Sequence, residues 1–220
     1  LCVIQVCLRN NFPTMSHVAD HYNARPNQNP EERRDSPIYR LRAFNNWVKA
    51  VLIREGLARL PHPVSILDVG CGKGGDLGKY RRASRGTVSA YHGIDIAPVS
   101  VEHARERAAD MRLPFPCIFA CQDCYGEDLD LAGRTFGLVS CQFSLHYAFK
   151  TPEMAERAIR NISLALQPNG LSILTVPNGD LIVDRHRRDQ YLLMNEYHCV
   201  TFTDKSDKKE DYADFGEEYT

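Results

Sequence analysis

Eight consecutive residues, Asp68-Val69-Gly70-Cys71-Gly72-Lys73-Gly74-Gly75, carry the densest chemical signal in the chain. They follow an apolar run and precede a helical pattern, the place where backbone must approach a ligand closely and a Cβ would obstruct it. A Gly-x-Gly-x-Gly core with an acid ahead of it reads as a nucleotide-binding loop, with Asp68, Gly70 and Gly72 as its candidate ligand residues. Gly75 also completes a Gly-x-Gly-x-x-Gly spacing, so the glycines alone leave dinucleotide binding open. The next apolar run ends at Gly93-Ile94-Asp95, one βαβ step further on. There the Asp95 carboxylate can accept from both hydroxyls of a ribose; the competing reading is a cap for the following helix. Asp123, after the third run, can accept from an adenine amino group, although aspartates are common in loops without any ligand.

After the fourth run the chain reads Ser140-Cys141-Gln142-Phe143-Ser144-Leu145-His146-Tyr147. This strand end borders the ligand crevice of a doubly wound sheet. His146 has the chemistry of a general base, a metal ligand or a hydrogen-bond donor. No second His or Cys stands at ligand spacing, so a donor or shape role is expected and no metal. Cys117, Cys121 and Cys124 do have the Cys-x3-Cys-x2-Cys spacing that holds a [4Fe-4S] cluster. Two of them fall within or at the end of a buried-type run, and the residue before Cys124 is Asp rather than an aromatic. Ordinary buried thiols are the expectation.

The elements that must position these residues alternate. Apolar runs at Val64–Val69, Val88–Ile94, Cys117–Ala120, Phe136–Cys141 and Leu171–Val176 predict strands. Helical patterns are predicted from Gly75 or Asp76 onward, at Val99–Met111 and at Pro152–Leu166. Ser36-Pro37 predicts a helix start, with Ser36 as N-cap, Pro37 at the first position and Ile38, Leu41, Phe44, Val48, Val51 and Leu52 as a sheet-facing stripe through about Leu60. Strands alternating with helices give the fold class: α/β, Rossmann-like, a doubly wound and mostly parallel sheet with helices on both faces. Residues 1–35 read as a largely irregular polar arm and 36–220 as one domain.

A formal net charge of −1 excludes a uniformly basic coat for nucleic acid, so any such contact is local. Candidate basic clusters are Arg33 and Arg34, Arg40 and Arg42, Arg81, Arg82 and Arg85, and Arg185, Arg187 and Arg188. The eight cysteines lie in apolar runs without the framing of a disulfide scaffold, so reduced thiols are expected. No apolar run reaches the length of a membrane span. Residues 1–8 are apolar but lack an initiating Met and a basic leader, which is not the pattern of a complete signal peptide.

Four segments together closely resemble the eukaryotic mRNA cap guanine-N7 methyltransferases. They are Val18-Ala19-Asp20-His21-Tyr22-Asn23, the stretch Leu41–Ile53 with its Phe44-Asn45-Asn46-Trp47 core, the Leu67–Leu77 loop, and Cys141–Phe149. The resemblance runs from about Val18 to the C-terminus, and Pro177-Asn178 also fits it. It implies a class I methyltransferase fold with S-adenosylmethionine as co-substrate and no metal. It implies that Lys49, Gly70, Asp95, Asp123, Gln142 and Tyr147 line the donor site, and that Asn45, Asn46, Lys73, Lys79, Arg107 and His146 face the cap. It further implies a 5′-capped nascent RNA as substrate, RNA guanylyltransferase and the RNA polymerase II machinery as partners, a nuclear location, and a further sheet segment with an acidic cap contact beyond Tyr219, so that the domain is incomplete at its C-terminal side.

Guanine N7 carries an in-plane lone pair, so attack on a sulfonium methyl needs no base, and the expected task is alignment. The same glycine loop and Asp95 would serve an enzyme with a small-molecule acceptor, and a non-catalytic cap-binding relic is the reading from another class. The Asn45-Asn46-Trp47 segment and the His146-Tyr147 pair favour the cap.

Overall fold

The structure, a computed structural model, describes residues 15–25, 34–84 and 86–188. Five strands form a single parallel sheet: β1 (Val64–Val69), β2 (Val88–Asp95), β3 (Cys117–Cys121), β4 (Phe136–Gln142) and β5 (Leu166–Thr175). Their order is β3-β2-β1-β4-β5. The helices are α1 (Met15–Ala24), α2 (Tyr39–Ala58), α3 (Leu77–Ser84), α4 (Pro98–Met111), α5 (Pro152–Ala165) and α6 (Gly179–Arg188), with a 3₁₀ turn over Leu145–Lys150. No helix among the described residues is long and apolar enough to cross a membrane.

Side chains alternate along each strand, so β1 feeds two cores. Ile66 packs with Ile53 and Leu57 of α2, Leu77 and Tyr80 of α3, and Val101 and Ala104 of α4. Leu67 and Val69 pack on the other face with Ala158 and Ile162 of α5. All seven β4 residues are buried, as both covered faces require. The α5 start matches its sequence signal: Pro152 takes the first turn and Thr151 Oγ1 accepts the Met154 N–H at 3.3 Å.

Two local expectations need correction. Helix α2 begins at Tyr39 with Ile38 as N-cap; Ser36 contributes its carbonyl to the Tyr39 N–H at 2.9 Å and does not cap with its side chain. The buried stripe of α2 is Ile53, Gly56 and Leu57; of the expected stripe, Leu52 packs half-buried against the same core, whereas Phe44 is exposed and lies against Trp47 with ring centres 5.9 Å apart. The reason is length. A twenty-residue helix is about 30 Å long and the six-residue β1 is about 20 Å. The N-terminal turns of α2 therefore overhang the sheet at the carboxyl ends of the strands, where they bring Asn45, Asn46 and Lys49 to the rim of the crevice. Within the stretch read as a polar arm, α1 is a ten-residue helix held on α4, where Asn23 Oδ1 accepts the Val99 N–H at 3.1 Å.

Candidate active site

The chain moves outward from β1 through β2 to β3 and then returns to the other side of β1 for β4. The crevice opens at that reversal. Val69 pairs with Ile94 on one side and Cys141 on the other, so Gly70, Asp95 and Gln142 leave the sheet at the same edge. Around them lies a cleft of about 180 Å³, whose walls include Gly70, Gly72, Asp95, Ile96, Gln142 and Tyr147.

The glycine loop is shaped for close approach. Gly70 has φ +71, and a Cβ there would lie 2.3 Å from Ser144 Oγ. Gly72 has φ +53 with open space where a Cβ would project. Asp95 Oδ2 accepts the Gly72 N–H at 2.8 Å, and Oδ1 accepts the Ala97 N–H at 2.9 Å. Burial raises the Asp95 pKa above the ordinary carboxylate value, against those two N–H donors.

The β4 end is built on a polar network. Phe143 holds φ +56, its N–H donating to the Thr175 carbonyl and hydroxyl. That turn sets Ser144 under Gly70, with Ser144 Oγ 2.8 Å from Tyr125 Oη, 3.2 Å from Cys141 Sγ and donating to the Val69 carbonyl. Gln142 is held through Nε2 by the Ile173 carbonyl and through Oε1 by Thr175 Oγ1. Burial pushes the Cys71, Cys124 and Cys141 thiols up.

The model of the mRNA (guanine-N(7))-methyltransferase domain matches residues 7–220. The chain belongs to that family. Schizosaccharomyces pombe mRNA cap guanine-N(7) methyltransferase is 41% identical over 179 residues, covering 79% of this chain and 49% of the relative. Arabidopsis thaliana mRNA cap guanine-N(7) methyltransferase 1 is 39% identical, covering 92% and 57%. The chain thus spans about half the length of the curated relatives it matches. A solved S-adenosylmethionine-dependent methyltransferase from Clostridium acetobutylicum superposes with TM-score 0.54 at 18% identity, covering 76% of this chain and 61% of that one, a likeness of fold.

Of the donor-site residues expected from the cap methyltransferase resemblance, Gly70, Asp95, Gln142 and Tyr147 line the cleft, as does Gly72 from the loop reading. Lys49, Asp68 and Asp123 are not among its lining residues. Asp68 is buried beneath the loop, accepting from Tyr91 Oη at 2.7 Å. Asp123 Oδ1 accepts the N–H groups of Tyr125 and Gly126 at 3.0 and 2.8 Å and so shapes the turn that delivers Cys124 and Tyr125 to the cleft.

Lys49 joins a buried ionic cluster instead. Asp76 receives Lys49 Nζ at 2.8 Å and Lys79 Nζ at 2.6 Å, and Lys79 also donates to Asn46 Oδ1 at 2.8 Å. Burial works against the Asp76 carboxylate, but the two ammoniums outweigh it and hold its pKa below the ordinary value. Two residues assigned by resemblance, Lys49 to the donor and Lys79 to the cap, thereby share one acid that the sequence reading had not singled out, and Asn46 joins them through Lys79. Lys73 Nζ donates to the Arg25 carbonyl at the end of α1. Arg107 lies on α4, half-buried and outside the cleft lining. Asn45 Oδ1 and His146 Nδ1 are shielded from solvent without a hydrogen-bond partner. Burial pushes His146 down to about 4, so its imidazole is neutral at neutral pH.

Among the described residues no His, Cys, Asp and Glu side chains cluster so as to hold a metal ion. Cys117, Cys121 and Cys124 do not converge: their thiols face the carbonyls of Phe115, Ile96 and Gln122 respectively. Val18, Tyr22, Phe143, Ser144 and Tyr125 were not named as site residues from sequence, and all line the cleft. The left-handed Phe143 turn that delivers two of them leaves no sequence signature, since Phe is not a residue type that marks positive φ.

Proposed function

We infer that this chain carries the methyl-transfer core of an mRNA cap guanine-N7 methyltransferase, taking the methyl group of S-adenosylmethionine to N7 of the guanosine cap on a 5′-capped nascent RNA. Family membership over residues 7–220, with a cleft at the reversal of the sheet, is the observation that carries the reading. The cleft fits the donor chemically: a carboxylate for the ribose at Asp95, close backbone at Gly70 and Gly72, and aromatic walls at Tyr125, Phe143 and Tyr147. The donor supplies an electrophilic sulfonium methyl.

The chain's own groups have the work of alignment. Asp95 holds the ribose end and the glycine loop together, and the Tyr147 ring favours a cation beside it. The neutral His146 imidazole and the Asn45 amide keep unused polar atoms that a purine edge would satisfy; an unpaired buried polar atom otherwise costs about 1–3 kcal/mol. With N7 already bearing its lone pair, no residue need act as a base. The high thiol pKa values leave Cys71, Cys124 and Cys141 protonated, and protonated thiols are poor competitors for the methyl. A nuclear location, with RNA guanylyltransferase and the RNA polymerase II machinery as partners, follows from nascent RNA as substrate.

The test offers the chain labelled S-adenosylmethionine and GpppA-capped RNA, then digests the RNA and locates the label. Label in m7GpppA supports the reading. Label on a ribose hydroxyl or an internal base overturns the acceptor, and donor binding without transfer to any acceptor favours the non-catalytic alternative.

A further inference from the structure

The roof of the cleft comes from outside the sheet. Val18 and Tyr22, one helical turn apart on α1, both line it. Tyr22 Oη and Tyr147 Oη share a hydrogen bond of 2.9 Å, with their rings edge to face at 6.3 Å between centres. The C-terminal end of α1, just after Tyr22, is fastened to two elements. Asn23 Oδ1 accepts the Val99 N–H on α4, and the Arg25 carbonyl accepts from Lys73 of the glycine loop. The Arg25 guanidinium lies 5.2 Å from the centre of the Tyr22 ring.

Asp95 stands at the β2 end of the cleft and Tyr147 beyond the β4 end. A donor whose ribose meets Asp95 and whose adenine lies on the Cys124-Tyr125 side would carry its sulfonium toward the tyrosine pair. The Tyr147 ring lies against the His146 ring, with centres 4.3 Å apart, and a bond at its hydroxyl fixes the outer end of the phenol as well. Here the hydroxyl is held by another phenol, from an element that also closes the cleft.

We propose that Tyr22 is a positioning residue for the methyl donor: it fixes the orientation of the Tyr147 ring and, with Val18, makes α1 the strap that retains the sulfonium end. The inference rests on the donor reading above. It differs from that reading in placing function on the N-terminal helix, away from the loop and strand ends.

The experiment is titration calorimetry of S-adenosylmethionine into the full 220-residue chain, comparing wild type, Tyr22→Phe, Tyr147→Phe and the double variant. Each single change removes one shared hydrogen bond and is expected to weaken donor binding roughly three- to tenfold. The double variant is expected to bind no more weakly than either single one, because both delete the same bond. Asn23→Ala, which unties α1 from α4 without altering the cleft wall, is expected to speed donor dissociation in a stopped-flow chase. An unchanged donor Kd in a folded Tyr22→Phe, or losses that add in the double variant, overturns the proposal. A purely structural Tyr22 would lower the Tm and leave the Kd and the dissociation rate alone. A wild-type chain that binds no donor overturns the donor reading itself, an outcome distinct from wild-type binding with an unaffected Tyr22→Phe.

Discussion

Asp95 and Gly72 are joined by a hydrogen bond of 2.8 Å from the loop N–H to the carboxylate, so the acid at the end of β2 is also the clamp on the glycine loop. One side chain thus sets the shape of the cleft and supplies its candidate ribose ligand. The choice posed by the sequence, ribose acceptor or helix cap, does not divide so cleanly, because Oδ1 meanwhile accepts the N–H of Ala97 at the start of α4.

Replacing that carboxylate should therefore cost more than one contact. Asp95→Ala is expected to abolish donor binding in calorimetry, a loss above roughly a hundredfold if each of two charge-assisted hydrogen bonds contributes about 1.5–3 kcal/mol. His146→Ala, by contrast, should leave the donor Kd within about twofold while raising KM for capped RNA, since His146 is not among the residues lining the donor cleft. Equal loss of donor binding in the two variants would contradict this division.

Gly70→Ala tests the packing between loop and strand end. The new Cβ would stand 2.3 Å from Ser144 Oγ and 2.7 Å from Ser144 Cβ, at a backbone φ of +71. Overpacking and left-handed strain each cost about 1–3 kcal/mol. The variant should lower the midpoint of thermal unfolding by several degrees, and Ser144→Gly in the same chain should restore part of the loss. No recovery would mean that the strain is of the backbone alone.

The strands were legible because parallel strands covered on both faces read as apolar runs; four fall at or beside their expected positions, and β5 begins at Leu166, five residues before the apolar run that marked it at Leu171. Asp95 was legible because topology alone puts the end of β2 at the crevice. Asp76 was not. It follows the glycines at a helix start, where an acid is unremarkable, and its partners Lys49 and Lys79 reach it from two different helices. The Tyr125, Cys141 and Ser144 network is likewise a product of packing, assembled by a Phe143 turn that sequence periodicity does not register. The Ser36-Pro37 signal misplaced a helix start because a locally good cap yields to the register in which α2 docks on the sheet.

Asp68 gives the pH dependence. Burial, then the charge of Asp76, raises it from 3.8 to about 7, against the Tyr91 hydroxyl, the Lys49 charge and Ser140. A raised folded-state pKa means that the folded chain keeps its proton after the unfolded chain has lost it. The stability contribution is full below about pH 4. It declines as the unfolded carboxyl ionises and levels off once pH passes the folded value of about 7. Asp68→Asn keeps an acceptor for Tyr91 and cannot ionise, so its stability should lack this decline. Urea unfolding at several pH values between 4 and 8 should show wild type losing, relative to the variant, on the order of a few kcal/mol across that window. Parallel curves would mean that Asp68 is ionised in the folded chain at neutral pH, with Lys49 and the Tyr91 hydroxyl as its counterweight. In that event the buried ionic cluster would extend from Asp76 directly beneath the glycine loop.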